Sequence, residues 1–352
     1  MKLDLQSSWA SGEGPEADVV VSTRARLARN LAGKVFPGKA SAEDLAEIAG
    51  MVRRAAAGLE SRFEEFRVLD VDELQEADRE YLVDARVASY EQVDPREGRL
   101  IILNSAGSIA IMVNEEDHLR IQAILSGLQP TSAWELVDEV DSALSRFLQY
   151  EYSDRYGYLT ASLSNVGTGL RVSTMLHLAG LCFMGSLART LRAAYDLGIS
   201  VRGLFGEGSS GLGDFYQVSN EVTLGLPEPE IVCRVRGVAD YLINEERRAR
   251  RTIADQRRDE LAERARGAMD KLRRAKTVRA EEALALLSPV RMAASLGMIE
   301  GGGIRLFNEL LINMGIGRLT SANRVSWDAV RMEMTRAPRI KAQLAELTVK
   351  TA

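Results

Sequence analysis

The stretch "IAIMVNEEDHLR", residues 109–120, decides how the chain is read. An apolar run of strand length gives way at once to three adjacent acids, Glu115, Glu116 and Asp117, and then to His118 and Arg120. Neighbouring carboxylates repel one another, so something cationic is expected to face them: a cationic substrate, a metal-bound nucleotide or both. An acidic turn in water is the plainer explanation of the same spacing. His118 is expected to hydrogen-bond the turn.

Working outward, "RLIIL" (99–103), "NSAGS" and "IAIMV" spell strand, turn, strand, and "VVVST" (19–23) spells another short strand. Residues 41–60 predict a helix capped by Ser41, with acids in its first turn. Residues 131–150 carry Leu136, Val140, Leu144 and Phe147 at helical spacing, and "YGYLTASL" (156–163) reads as a strand. The long apolar segment 170–199 predicts a helical region, and 214–226 strand and turn. Strands and helices mix without a regular βαβ beat, so the expected class is α+β on a mainly antiparallel sheet.

From about residue 228 the composition changes. Ile231, Val235, Val238 and Leu242 form a helical stripe, residues 245–280 hold 13 basic and 7 acidic side chains, and two apolar helices follow, split by Gly301, Gly302 and Gly303. The expected division is a catalytic domain over 1–250 and a helical domain over 251–352. The polar stretch lacks interleaved aromatics and mixes both charges, which favours a solvated or domain-spanning helix over a nucleic-acid surface.

With 352 residues, 46% apolar and 27% charged, the chain has an ordinary globular balance, and its net charge of −5 means that the molecule as a whole is not a polyanion binder. No apolar run reaches membrane length, and no signal-peptide core is seen at the N-terminus. Two cysteines, Cys182 and Cys233, exclude a disulfide framework and predict a reducing cytoplasm. With only two histidines and two cysteines, spread along the chain, a zinc site of metal-ligand spacing is not expected either. Seven lysines stand against 38 arginines. Arginine recurs at turns and strand ends: Arg24, Arg26 and Arg29 in "STRARLARN", Arg120, Arg171 in "SNVGTGLRVS", and Arg202 in "VRGLFGEGSSGLGD". Guanidinium groups beside glycine-rich backbone suit a polyphosphate. The site is not a Walker A loop, since no GxxxxGK[ST] occurs and no lysine lies between residues 40 and 270. Arg29 is read as structural, and His177 as a packing histidine.

These four segments, in this order, resemble the signatures of the phosphagen (guanidino) kinase family, and the last two are most like its bacterial protein-arginine kinases. The resemblance spans about residues 19–250 and, more weakly, the tail. It implies transfer of the γ-phosphoryl group of ATP, with Mg²⁺, to a guanidinium nitrogen. By matched motif, Ser22, Thr23, Arg24, Ala25 and Arg26 would form the first nucleotide segment. Arg120 would follow, then Arg171, Val172, Ser173, Thr174 and Met175, and then Arg202, Gly203, Leu204, Phe205, Gly206 and Glu207. Glu116 would bind and deprotonate the guanidinium, with Glu115 beside it or near the metal waters. A guanidinium has no free lone pair, and a carboxylate in reach orients the nitrogen and takes its proton.

Three departures from the family pattern stand out. Ser162 occupies the place of a reactive cysteine and cannot offer a thiolate. Arg86 stands where the protein-arginine kinases have a nucleotide-site histidine. In the tail, "WDAVRM" keeps Asp328 and Arg331 of a phosphoarginine-sensing motif but not its first arginine or its alanine. The motif that opens the family's catalytic part begins at about residue 22, which leaves no room for the helical domain that precedes it in metabolite kinases. Protein substrates with exposed arginines are therefore expected, marked for quality control or Clp-type degradation. A zinc-binding activator protein, a Clp protease and a homodimer are the partners the resemblance implies. The alternatives are a kinase of a free guanidino compound and a silent phosphoarginine- or nucleotide-binding adaptor.

Overall fold

A computed structural model describes residues 5–59, 63, 65–195, 198–203, 211–323 and 328–350. Its centre is an eight-stranded antiparallel sheet built from β1 (Val20–Arg29), β2 (Phe66–Asp70), β3 (Leu100–Asn104), β4 (Ile109–Val113), β5 (Leu119–Ser126), β8 (Leu170–His177), β9 (Ile199–Gly203) and β10 (Phe215–Asn220). Their order across the sheet is β2-β3-β4-β5-β1-β8-β10-β9. A two-stranded hairpin, β6 (Tyr152–Ser153) and β7 (Gly157–Tyr158), stands apart from it. The mixed class with an antiparallel sheet is as expected from the sequence.

Each strand separates its side chains by alternation. On one face Ala25, Leu27, Ile121, Ala123, Leu170, Val172, Leu176 and Val218 form a core with three helices: α1 (Ala42–Ala57), α4 (Pro130–Leu144) and α7 (Glu228–Gln256). The first of these has the expected cap: Ser41 Oγ accepts from the Asp44 amide, and the Asp44 carboxylate accepts from the Ser41 amide. The other face is divided. At one end Ile101, Leu103, Ala110, Ile124 and Met175 join a second core with Trp9, with α2 (Glu76–Asp84) and with the tail helices α8 (Arg258–Arg274), α9 (Ala280–Ser295), α10 (Ile304–Asn313) and α12 (Ala329–Gln343), while α11 (Ile316–Asn323) packs on α2. At the other end the face is polar. Three short helices complete the order, α3 (Tyr90–Val93), α5 (Ala179–Phe183) and α6 (Leu187–Tyr195).

Four local expectations are corrected. The segment 170–199 is not helical throughout: its first eight residues are β8, which lies between β1 and β10 in mid-sheet. A strand buried on both faces hides its alternation, so an apolar run of this kind is readily mistaken for a buried helix. The first strand does not stop at residue 23 but runs to Arg29, because alternating arginines supply one of its faces. The helix from residue 130 ends at Leu144; its buried stripe is Ala133, Val137, Val140 and Leu144, and Phe147 is 61% exposed. The strand expected at 156–163 shrinks to Gly157–Tyr158.

The tail is tied to the sheet by buried polar groups. Glu246 and Arg250 on α7 pair at 2.6 Å, and the Glu246 carboxylate accepts from the amides of Gly180 and Leu181 at the start of α5. His177 is fully buried, which holds it neutral; its Nε2 meets Ser288 Oγ of α9 at 3.0 Å. It is a packing histidine, as read from the sequence. Near the boundary expected at 250, α7 continues unbroken to Gln256. No helix among the described residues is long and apolar enough to cross a membrane.

At the end of α2 the Asp84 carboxylate accepts from the Gly317 amide at 2.8 Å, and a Cβ at Gly317 would strike the Tyr81 backbone, so α11 lies flush on α2. Burial pushes the Asp84 carboxyl up from 3.8 to about 7, against the pull of the two amides. The fold favours the protonated form, so this contribution to stability is full below 3.8 and is lost as pH rises through about 7. Asp84→Asn keeps an acceptor and removes the charge. Its Tm relative to the unsubstituted chain should rise steadily between pH 4 and pH 8, as measured by thermal unfolding across that range.

Candidate active site

The registers of the central strands bring the arginines of separate sequence motifs onto one face. Arg26 on β1 lies directly opposite Gln122 on β5 and Arg171 on β8; Arg24 lies opposite Ile124 and Ser173; Arg120 lies opposite Ala28, two pairs further along. Arg202 on β9 shares the face through Gln217 and Met175. Facing residues in a ladder share a side, so Arg24, Arg26, Arg120, Arg171 and Arg202 all project the same way. Ser22 and Ser173 share this face and are buried among them.

Thr23, Ala25, Val172 and Thr174, expected as nucleotide contacts, have their side chains on the opposite side. Ala25 and Val172 belong to the core, and Thr23 Oγ1 donates to the Gly127 carbonyl at 2.7 Å. Contiguous residues of a strand cannot share a face, so each motif contributes only alternate side chains. Met175 has the right parity but packs into the second core. Gly203 ends β9, and Leu204, Phe205, Gly206 and Glu207 lie outside the described residues.

A sixth guanidinium comes from the turn after α2. Arg86 is held at φ 62°. Its carbonyl accepts from Gln122 Nε2 at 2.7 Å, and its guanidinium lies 5.5 Å from the ring of the buried Trp9, whose Nε1 donates to the Ala85 carbonyl. A non-glycine residue kept in the left-handed region is held there by its surroundings, and such positions cluster at functional sites. The electrostatics agree. Burial, then the positive charges of Arg86, Arg120 and Arg171, pull the Arg24 guanidinium down to about 9. Burial, then Arg24, Arg120 and Arg171, pull Arg26 well below its usual value, with only Glu115 opposing. Arg26 Nε is buried with no hydrogen-bond partner. A wall of mutually repelling cations with an orphaned donor fits a polyanion.

The three acids at the end of β4 go three ways. Asn114, at φ 61°, donates to the carbonyls of Leu45 and Gly98 and turns the chain. Glu115 points inward, 8% exposed, and both its oxygens meet Arg120 Nη1, at 2.8 and 2.6 Å. It also accepts from Ser89 Oγ. Asp117 is buried and structural: one oxygen accepts from Asn30 Nδ2 and from the Ala161 amide, each at 2.6 Å. Glu116 alone faces solvent, and the protein wall beside it, then the Asp117 carboxylate, push its carboxyl above 4.5. The cation expected before all three acids is therefore, for Glu115, the chain's own Arg120. His118 Nδ1 accepts from the Leu31 amide at 2.9 Å, and its Nε2 meets the Val35 carbonyl at 3.0 Å, so it fastens the turn as expected.

The bond from Asp117 to Ala161 places Ser162 one residue from the anchor on one side, as Glu116 is on the other. Ser162 Oγ lies 2.8 Å from Ser164 Oγ, and the neighbouring Leu163 is 89% exposed. Asp328 and Arg331 do not join this site: Asp328 caps the start of α12, which packs on α8 and α11 of the tail. Arg29 pairs with Asp141 at 2.8 Å inside the core, which makes it structural. Sequence reading missed Ser89. "SYEQ" (89–92) has the form of a helix cap and is one, Ser89 Oγ accepting from the Gln92 amide at 3.1 Å, but its second bond, to Glu115, has no sequence signal.

Comparison with known proteins agrees with this geometry. Residues 47–249 match the C-terminal catalytic domain of the ATP:guanido phosphotransferases, and residues 258–352 match the C-terminal domain of the protein-arginine kinase McsB. The protein-arginine kinase of Pelotomaculum thermopropionicum is 37% identical over 98% of each chain, and that of Symbiobacterium thermophilum 37% identical over 97% of each. Among solved structures, a lombricine kinase superposes with a TM-score of 0.60 at 24% identity, covering 70% of this chain and 71% of that one. A substrate-free duplicated taurocyamine kinase from Schistosoma mansoni superposes with a TM-score of 0.57 at 23% identity, over 77% of this chain and 40% of that one. The catalytic-domain match, the near-complete coverage of the bacterial relatives and the arginine face lead to one conclusion: the chain belongs to the protein-arginine kinase family of the ATP:guanido phosphotransferases.

Proposed function

We propose that the chain transfers the γ-phosphoryl group of ATP to arginine side chains of proteins. The observation that carries this reading is a solvent-facing carboxylate, Glu116, on the same turn as the Glu115–Arg120 pair that borders the arginine face. The protein-arginine kinases that match over nearly the whole chain, tail included, support a protein as acceptor.

Arg24, Arg26, Arg86, Arg120, Arg171 and Arg202 would hold the phosphates. ATP would supply the phosphoryl group, and Mg²⁺ would neutralise part of the charge on its phosphates. Among the described residues no cluster of three or more ionisable ligands stands ready for a metal, so the ion would come with the nucleotide, near Glu115 and Glu116. Glu116 would accept two guanidinium hydrogens from the substrate arginine, turn one nitrogen toward the phosphorus and take a proton as the N–P bond forms and the bond to the ADP oxygen breaks. Ser162 would hydrogen-bond the same guanidinium without contributing charge. Transfer rests on alignment and on arginines arranged before the charge arrives. We assign residues 1–250 to this chemistry and the helical remainder to substrate docking, dimerisation or phosphoarginine sensing.

Incubated with Mg-ATP, the purified chain should place acid-labile phosphoarginine on casein and leave free arginine unmodified. Glu116→Gln should lower the rate by a factor on the order of 100 or more while ATP still raises the Tm. Label on free arginine alone would replace the reading with a metabolite kinase. Because Glu116 works only when ionised and its carboxyl lies above 4.5, the rate should fall on acidification through a pH above that value, a limb missing from the residual activity of Glu116→Gln. Arg24→Ala should cut kcat/KM for ATP by about 100-fold, and Arg24→Lys, which keeps the charge but not the planar fork, should recover only part of it.

A further inference from the structure

We infer that Ser89 is a positioning residue for phosphoryl transfer, acting through Glu115 on Arg120. The inference rests on the phosphate-binding role proposed above for Arg120. Ser89 caps the four-residue helix α3, and its Oγ accepts from the Gln92 amide at 3.1 Å. An amide can only donate, so the hydroxyl keeps its own hydrogen for another acceptor. That acceptor is Glu115 Oε1. The Glu115 side chain is 4% exposed, so a lost donor is not easily replaced by bulk water.

Glu115 in turn fixes Arg120. Both carboxylate oxygens contact a single guanidinium nitrogen, Nη1, at 2.8 and 2.6 Å, leaving Nη2 and Nε outside this pair. Arg120 stands opposite Ala28 on the arginine face, two pairs from Arg26, and its charge is felt by both Arg24 and Arg26. Rotation of the Glu115 carboxylate would therefore swing a phosphate-binding arginine.

The frame behind Ser89 is rigid and is built on the strand that leads to the acids. Gln92 is fully buried, and its Nε2 donates to the carbonyls of Leu100 at 2.9 Å and Val113 at 3.2 Å, the latter two residues before Glu115. The same turn carries Arg86 three residues earlier, so residues 86–92 supply both a cation to the arginine face and the donor that orients its neighbour.

A double-mutant cycle separates positioning from helix capping. The full-length chain and the variants Ser89→Ala, Ser89→Thr, Glu115→Gln and Ser89→Ala/Glu115→Gln would be compared for kcat and KM in transfer to casein, and for Mg-ATP affinity by calorimetry. Ser89→Ala should lower kcat/KM for ATP and the affinity by about tenfold. Ser89→Thr, which keeps the hydroxyl, should stay within about twofold of the unsubstituted chain. In the Glu115→Gln background the alanine substitution should cost less than about twofold, because its route of action is already cut. An equal loss in both backgrounds would make Ser89 a helix cap only and overturn the inference, as would an unaffected Ser89→Ala. An unsubstituted chain that binds Mg-ATP but phosphorylates nothing would overturn the proposed reaction, while the cycle read in ATP affinity would still decide the role of Ser89.

Discussion

Like-charge repulsion on one face of the central sheet is the constraint around which the molecule is arranged. Arg120 and Arg171 lie close enough to Arg24 and Arg26 that their charges depress the ionisation of both. Isolated strands would not hold such a set together. What holds it is the other face of the same strands, where Ala25, Leu27, Ile121, Leu170 and Val172 are locked under α4 and α7. Apolar burial at about 25 cal/mol per Å² acts on every one of those residues and fixes the register, and the register fixes the arginines. A site whose charges are set before the ligand arrives needs little reorganisation when the phosphates do.

The acidic turn is the joint between this face and the place where the acceptor would sit. Each charge in it has a separate use. Asp117 is consumed by Asn30 and the Ala161 amide, which fastens the Ser162 loop to the turn. His118 is consumed by Leu31 and Val35. Glu115 is consumed by Arg120 and Ser89. Glu116 is left facing solvent, with its carboxyl raised above the usual value, which suits the role of proton acceptor proposed for it. A carboxylate without neighbours would be a weaker base; one as buried as Glu115 could not reach a substrate.

The helical tail is not appended loosely. Its helices share a core with Ile101, Leu103, Ile124 and Met175 on the far part of the arginine face. The contact of Asp84 with the start of α11 lies two residues from Arg86. Ser288 on α9 reaches His177 at the end of β8. The tail therefore meets the strands that carry the arginine face through packed side chains and buried hydrogen bonds.

Much was determined by the sequence alone. The class of the fold, the cap on α1, the structural roles of Arg29, His118 and His177, and the family itself followed from local patterns, because capping, charge spacing and motif order are written in contiguous residues. What only the tertiary structure decided is which members of each motif share the arginine face. Period-two alternation sends Thr23, Ala25, Val172 and Thr174 into the core and their neighbours to the site, and a strand buried on both faces conceals that alternation in β8. The division of labour among Glu115, Glu116 and Asp117 was likewise invisible, since three adjacent carboxylates are chemically alike until Asn30, Ala161, Arg120 and Ser89, brought from distant or separately folded segments, take two of them. Pairing across a sheet and across loops depends on register and burial, and those are set by the whole core and not by any one stretch of chain.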